Sequence, residues 1–139
     1  MSKLGCILAF AMLAAIPAAA ETAIPDLRGT WKGESESIVL GGGNPHHPAT
    51  QSNEPQLRRV PFTLTIDKQD GRRFSGTFSS ARSSEKVIAV ISRSGMIFMA
   101  DDEGYTNGTM LAPNRMELCY LHVSSASRIA SCSELTKQQ

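Results

Sequence analysis

Residues 116–135, MELCYLHVSSASRIASCSEL, form two runs of alternating apolar and polar character, 116–123 and 128–135, hinged at Ser124-Ser125-Ala126-Ser127. Period-two alternation on both sides of a small polar turn marks an antiparallel hairpin. Centring the hairpin on that turn sets Tyr120 opposite Ser131, His122 opposite Ile129 and Cys119 opposite Cys132, which predicts a cross-strand disulfide. The same register opposes Glu117 to Glu134, a mildly unfavourable pair. A disulfide needs an oxidising compartment, so the hairpin points to a small exported β protein.

The N-terminus agrees. Lys3, an apolar run over 8–16 and Ala18-Ala19-Ala20 have the form of a secretory signal peptide, cut before Glu21. Cys6 would leave with it, so that of three cysteines two remain. A lipoprotein cysteine follows the apolar run, whereas Cys6 precedes it. The run is shorter than the roughly 20 residues that span a bilayer, so no membrane insertion is expected after cleavage, and the expected location is periplasmic or secreted. Residues 21–139 suit one domain with one core. With 14 basic and 13 acidic residues the chain has no charge signature for nucleic acid, and Arg58-Arg59 and Arg72-Arg73 read as solvated turn residues.

Working outward from the hairpin, alternation continues almost throughout. Strands are expected at 27–40, 60–68, 74–80, 86–92, 95–101, 105–111, 116–123 and 128–135, joined by turns such as Gln69-Asp70-Gly71, Asp102-Glu103-Gly104 and Pro113-Asn114. Eight short strands with tight turns and no helix long enough to form a layer fit an all-β, antiparallel, up-and-down barrel. The exception is 41–59, GGGNPHHPATQSNEPQLRR, a stretch without periodicity that reads either as a functional loop or as a disordered one.

Charges sort the faces. On the first strand Arg28, Lys32, Glu34 and Glu36 must meet water, which sends Gly29, Trp31, Gly33, Ser35 and Ser37 inward. On the last two strands Glu117 and Cys132 outward put Tyr120, His122 and Ser131 inward. The sixth strand carries no charge to orient it. If Tyr105, Asn107, Thr109 and Leu111 face inward, the barrel has an apolar end around Trp31, Phe62, Leu64, Ile66 and Phe74, and an end lined with hydroxyls, an amide, tyrosines and a histidine. A concave site with a few placed polar groups is how small ligands are held; the alternative is that these groups satisfy one another in a narrow barrel that binds nothing.

Asp26-Leu27-Arg28-Gly29-Thr30-Trp31 resembles the opening strand of avidins and streptavidins, and lipocalins share a looser Gly-x-Trp there. Gly71-Arg72-Arg73-Phe74-Ser75-Gly76-Thr77-Phe78-Ser79-Ser80-Ala81 is similar to the third avidin strand. The resemblance covers some twenty residues. It implies an eight-stranded barrel with its ligand at the polar end, Ser37 standing where avidins place the serine that contacts the ligand's ureido group and Ser80 where they place a strand-three hydroxyl. Gly33 stands in place of the family's asparagine, Phe78 in place of its tyrosine, and Trp31 is the single tryptophan, so tight biotin binding is not implied.

Other chemistry is sparse. His46-His47 in a loop lacks the three or four fixed ligands of a zinc site. His122, with Tyr120, Ile129 and Ser131 as inward neighbours, lacks the nucleophile and acid of a triad, and no cofactor fingerprint is present, so neither an enzyme nor a cofactor is expected. Strands four and five are apolar on both faces: Val87, Ala89, Ile91 and Phe98 on one, Ile88, Val90, Ile97 and Met99 on the other. The second set is expected to lie outside and to form a homo-oligomer contact, the alternative cover being the 41–59 loop.

The sequence therefore predicts an exported barrel that binds a small molecule through Trp31, Ser35, Ser37, Phe78, Ser80, Tyr105, Asn107, Tyr120, His122 and Ser131. The alternative is a protein-binding module, such as a protease or lysozyme inhibitor, acting through the long loop. A structural envelope subunit without a ligand is a third reading.

Overall fold

A computed structural model describes residues 23–139, and the expected signal segment 1–20 lies outside the described residues. Eight strands follow in order: β1 Gly29–Gly41, β2 Gln56–Asp70, β3 Arg73–Ser79, β4 Ser84–Ile91, β5 Ile97–Ala100, β6 Tyr105–Ala112, β7 Arg115–Val123 and β8 Ser127–Lys137. Each pairs antiparallel with the next, and β1 pairs with β8, so the sheet closes into a barrel without a crossover. Closure removes the free strand edges that an eight-stranded open sheet would expose.

The β7–β8 hairpin has the register its charges dictate. Cys119 faces Cys132, Tyr120 faces Ser131 and His122 faces Ile129, and the two cysteines form a disulfide on the outer face. Glu117 and Glu134 do oppose each other. Arg115 offsets that repulsion by donating from Nε to Glu134 Oε1 at 2.8 Å.

One apolar cluster fills the lower barrel. Trp31, Leu64, Ile66, Val87, Ile97, Met116, Leu118 and Leu135 are buried in it. Leu27, from the segment preceding β1, closes the floor and accepts a hydrogen bond from Trp31 Nε1 at 2.8 Å. Gln69 latches this segment, accepting from Leu27 N and donating to Pro25 O, each at 2.8 Å.

Three expectations need correction. Strands four and five pair as Val90 with Phe98 and Ile91 with Ile97. Ile97 and Met99 therefore point into the core, 0% and 5% exposed, and the outward set is Ile88, Val90 and Phe98. With both faces apolar, the pattern held nothing to choose between two registers one residue apart, and such a slip exchanges the faces. On β6, Thr106 and Gly108 face the lumen while Tyr105, at 75% exposure, and Asn107 face solvent. The reason is packing: a Cβ at Gly108 would stand 2.4 Å from the Leu118 side chain, so this row of the wall admits only the glycine. Finally, 41–59 is not one loop. β1 runs to Gly41 and β2 starts at Gln56, and the connection left between them, 42–55, is folded over the barrel mouth.

Candidate functional site

The upper lumen is polar. Ser35, Ser37, Thr106, Ser131 and Ser133 are all buried there. Residues 43–48 dip into this mouth and carry His46 and His47 with them, only 4% and 2% exposed. Backbone geometry forces the descent. Gly41 and Gly43 have φ of 97° and 75°, a region closed to most side chains, and a Cβ at Gly43 would lie 2.3 Å from His47 O. Asn44 Oδ1 accepts from His46 N at 3.1 Å and from His47 N at 2.7 Å, an Asx turn that turns both imidazoles the same way. Gly42 N donates to Ala126 O, and Arg58 Nε to Pro48 O, which pin the segment to the β7–β8 turn and to β2.

Inside, each imidazole meets wall side chains. His46 Nδ1 lies 3.0 Å from Ser80 Oγ, and His47 Nε2 lies 3.1 Å from Ser131 Oγ. His47 stacks on Tyr120 with ring planes 3° apart and centroids at 5.6 Å. Phe62 and Phe78, themselves stacked at 4.6 Å, pack against His46. Asn44 Nδ2 donates to the Tyr120 hydroxyl. The space left among these groups is a cavity of about 20 Å³.

Electrostatics hold the mouth near neutrality. Burial lowers the affinity of His46 for a proton, and burial, with His46 and His122 adding repulsion, pushes His47 down to about 4. Glu85 Oε1 stands 3.0 Å from His46 Nε2 but without the alignment of a hydrogen bond. Burial, with Asp101, Glu103 and Asp102 nearby, pushes the Glu85 carboxyl up to about 7. Burial likewise raises the Tyr120 hydroxyl well above its usual range. At neutral pH both histidines are therefore uncharged and Tyr120 is a phenol.

Ser80, His46 and Glu85 line up in the order of a proton relay, and such a line invites comparison with hydrolytic triads. Two features depart from one. The backbone N–H groups of Arg82 and Ser83 donate to Ser80 Oγ itself and not toward the position of an oxyanion. The adjoining cavity of about 20 Å³ has no room for an acyl group. Among the described residues no cluster of three or more His, Cys, Asp or Glu side chains is arranged to hold a metal ion.

Of the residues singled out from sequence, Ser35, Ser37, Phe78, Ser80, Tyr120 and Ser131 gather at this mouth. Ser37 Oγ reaches Arg58 O at 3.4 Å, and Ser35 Oγ is buried without a protein partner among the described residues. His122 sits at the rim, its Nδ1 2.9 Å from Glu103 O. Trp31 lies in the opposite, apolar end. Tyr105 and Asn107 are on the outer wall. Sequence reasoning missed Asn44, His46, His47 and Glu85 as members of the site. The available signal was Gly41-Gly42-Gly43-Asn44-Pro45, a run whose turn chemistry implies a tight reversal at the barrel rim rather than a free loop.

No family model matches the chain, and no curated protein matches it. Among solved structures it is similar to the S-type phycobiliprotein lyase CPES from Guillardia theta, with 12% identity over 81% of this chain and 89% of that chain and a TM-score of 0.49. A likeness at that level carries no argument about the site.

Proposed function

We propose that this protein is an exported barrel that binds a small molecule at its polar mouth, in the place its own His46 and His47 occupy. One observation carries the proposal: the wall groups that the sequence marks as ligand contacts, Ser80, Tyr120 and Ser131, are satisfied by a segment that is not part of the wall. Two side-by-side imidazoles between aromatic rings and hydroxyls outline the matching ligand, a flat heterocycle or cyclic urea with hydrogen-bonding edges. The ligand enters as the segment swings out about Gly41 and Gly43. Export is inferred from the form of 1–20 together with the disulfide. Binding without catalysis is supported by the engagement of the Arg82 and Ser83 N–H groups with Ser80 Oγ itself.

The avidin resemblance agrees with the end of the barrel chosen here and supplies no ligand. The alternative of a loop that enters a partner's cleft is less favoured, because the residues at the tip of the turn, His46 and His47, are inside the barrel.

Benzimidazole tests the site. It should bind a His46→Ala, His47→Ala variant with raised melting temperature and should bind the wild type more weakly, since the segment competes. Equal failure with both proteins, while the variant remains folded, would overturn the proposal.

A further inference from the structure

The outer wall of β4–β6 carries two adjacent apolar rows. Cross-strand pairing puts Ile88 beside Ala100, Ala100 beside Tyr105, and Tyr105 beside Leu121. One row below, Val90 stands beside Phe98. Their exposures are high: Ile88 68%, Tyr105 75%, Leu121 54%, Phe98 48% and Val90 45%. Ala100 leaves a notch between Ile88 and Tyr105, and the surrounding groove has a volume of about 670 Å³. Elsewhere on the wall the exposed pair Ile38 and Leu57 is flanked by the Glu36–Arg59 ion pair; here the rows themselves carry no charge, and Arg73, cross-strand from Val90, ends the second row.

We propose that this face is the contact of a two-fold homodimer whose barrels lie antiparallel. Area is the first argument. Five large side chains at half to three-quarters exposure present on the order of 500 Å² of apolar surface, taking about 150 to 250 Å² for a whole aromatic residue. A stable interface covers about 800 Å² per partner, about 65% of it apolar in homodimers, which is the same apolar area. A patch of this size is at the upper end of what a monomer exposes, about 300 to 600 Å² for its largest, and such patches are often functional.

Charge is the second argument, and it selects a copy of the same chain in one orientation. At the plugged end the β5–β6 turn beside the face carries Asp101, Asp102 and Glu103, with Lys86 on β4. At the floor end the face is lined by Lys68 and by Arg73, which is paired with Asp70. Carboxylates gather at one end and the exposed Lys68 stands at the other. A two-fold axis lying in the contact plane and perpendicular to the barrel axis sets the acidic end of each barrel against the Lys68 end of its partner, whereas a parallel pairing would set like against like.

Sedimentation equilibrium of the disulfide-bonded protein tests this. Wild type should be dimeric at about 50 µM, a concentration well above the dissociation constant of an interface of this size. Phe98→Glu should be monomeric with the β-sheet circular dichroism of wild type, since the residue faces outward, and with a melting temperature that no longer depends on concentration. Asp102→Lys alone and Lys68→Glu alone should each weaken the dimer about ten-fold, and the two together should restore it. A monomeric wild type would overturn the interface. A double variant weaker than either single one would overturn the antiparallel arrangement.

Discussion

His47 stacks flat on Tyr120 and shares a hydrogen bond with Ser131, while its Nδ1 is buried without a protein partner among the described residues. Its proton affinity is depressed to about 4, so the unfolded chain takes up a proton there before the folded one does. Stability contributed by neutral His47 is present above pH 6.5 and is lost as pH falls toward 4, by about 3 kcal/mol at most. Glu85 acts in the opposite sense. Its folded value of about 7 exceeds the 4.5 of the free side chain, so its contribution is full below 4.5 and is lost as pH rises through 7. Wild type should therefore show a shallow stability profile between pH 5 and 7, in which the two slopes cancel in part. Glu85→Gln should steepen the loss toward acid, and His47→Gln should reduce it to the share that buried His46 contributes, read as urea midpoints across that range. Identical slopes for all three proteins would show that these groups titrate normally. Ser131→Ala should cost about 1 to 3 kcal/mol, because it strands His47 Nε2 in a buried site.

At the level of elements, legibility followed charge. β1, β7 and β8 each carry carboxylates or cationic side chains at alternate positions, and their faces were readable to the residue, as was the register between β7 and β8. β4 and β5 are apolar on both faces and β6 carries no charge; the faces of β4 came out as expected, with Ile88 and Val90 outward, but those of β5 and β6 were inverted, at Ile97, Met99, Tyr105 and Asn107. The 43–48 segment has no period at all. Its destination was set by two positive-φ glycines, an Asx turn and the hydroxyls waiting across the lumen, contacts from Asn44 to Tyr120 and His47 to Ser131 that sequence spacing does not encode. Two predictions belong here. Gly43→Ala, with its Cβ driven toward His47 O, should dislodge the segment and expose both imidazoles to diethyl pyrocarbonate, which should leave them unmodified in wild type at pH 7. Loss of the Cys119–Cys132 bridge by paired substitution to serine should lower stability by about 3 kcal/mol while leaving the β-sheet circular dichroism intact.

For the whole molecule, the barrel divides into an apolar lower half that stores stability and a polar upper half that stores none of it cheaply. Ile97→Lys would place a charge in the lower core and should prevent folding, whereas Phe98→Glu one residue away should be tolerated, a contrast that proteolysis can read directly. Above that core, the protein keeps buried serines, a stacked tyrosine and a Ser35 hydroxyl without a protein partner among the described residues, all beneath a segment attached through the positive-φ Gly41 and Gly43. A barrel needing only stability would fill the same space with aliphatic side chains. The most direct test is native mass spectrometry of wild type and the His46→Ala, His47→Ala variant, each exposed to the small-molecule extract of the cells that make the protein. A shared adduct of one mass, more abundant on the variant and lost from both on Ser131→Ala, is the predicted result; bare protein in every sample would contradict a ligand site at this mouth.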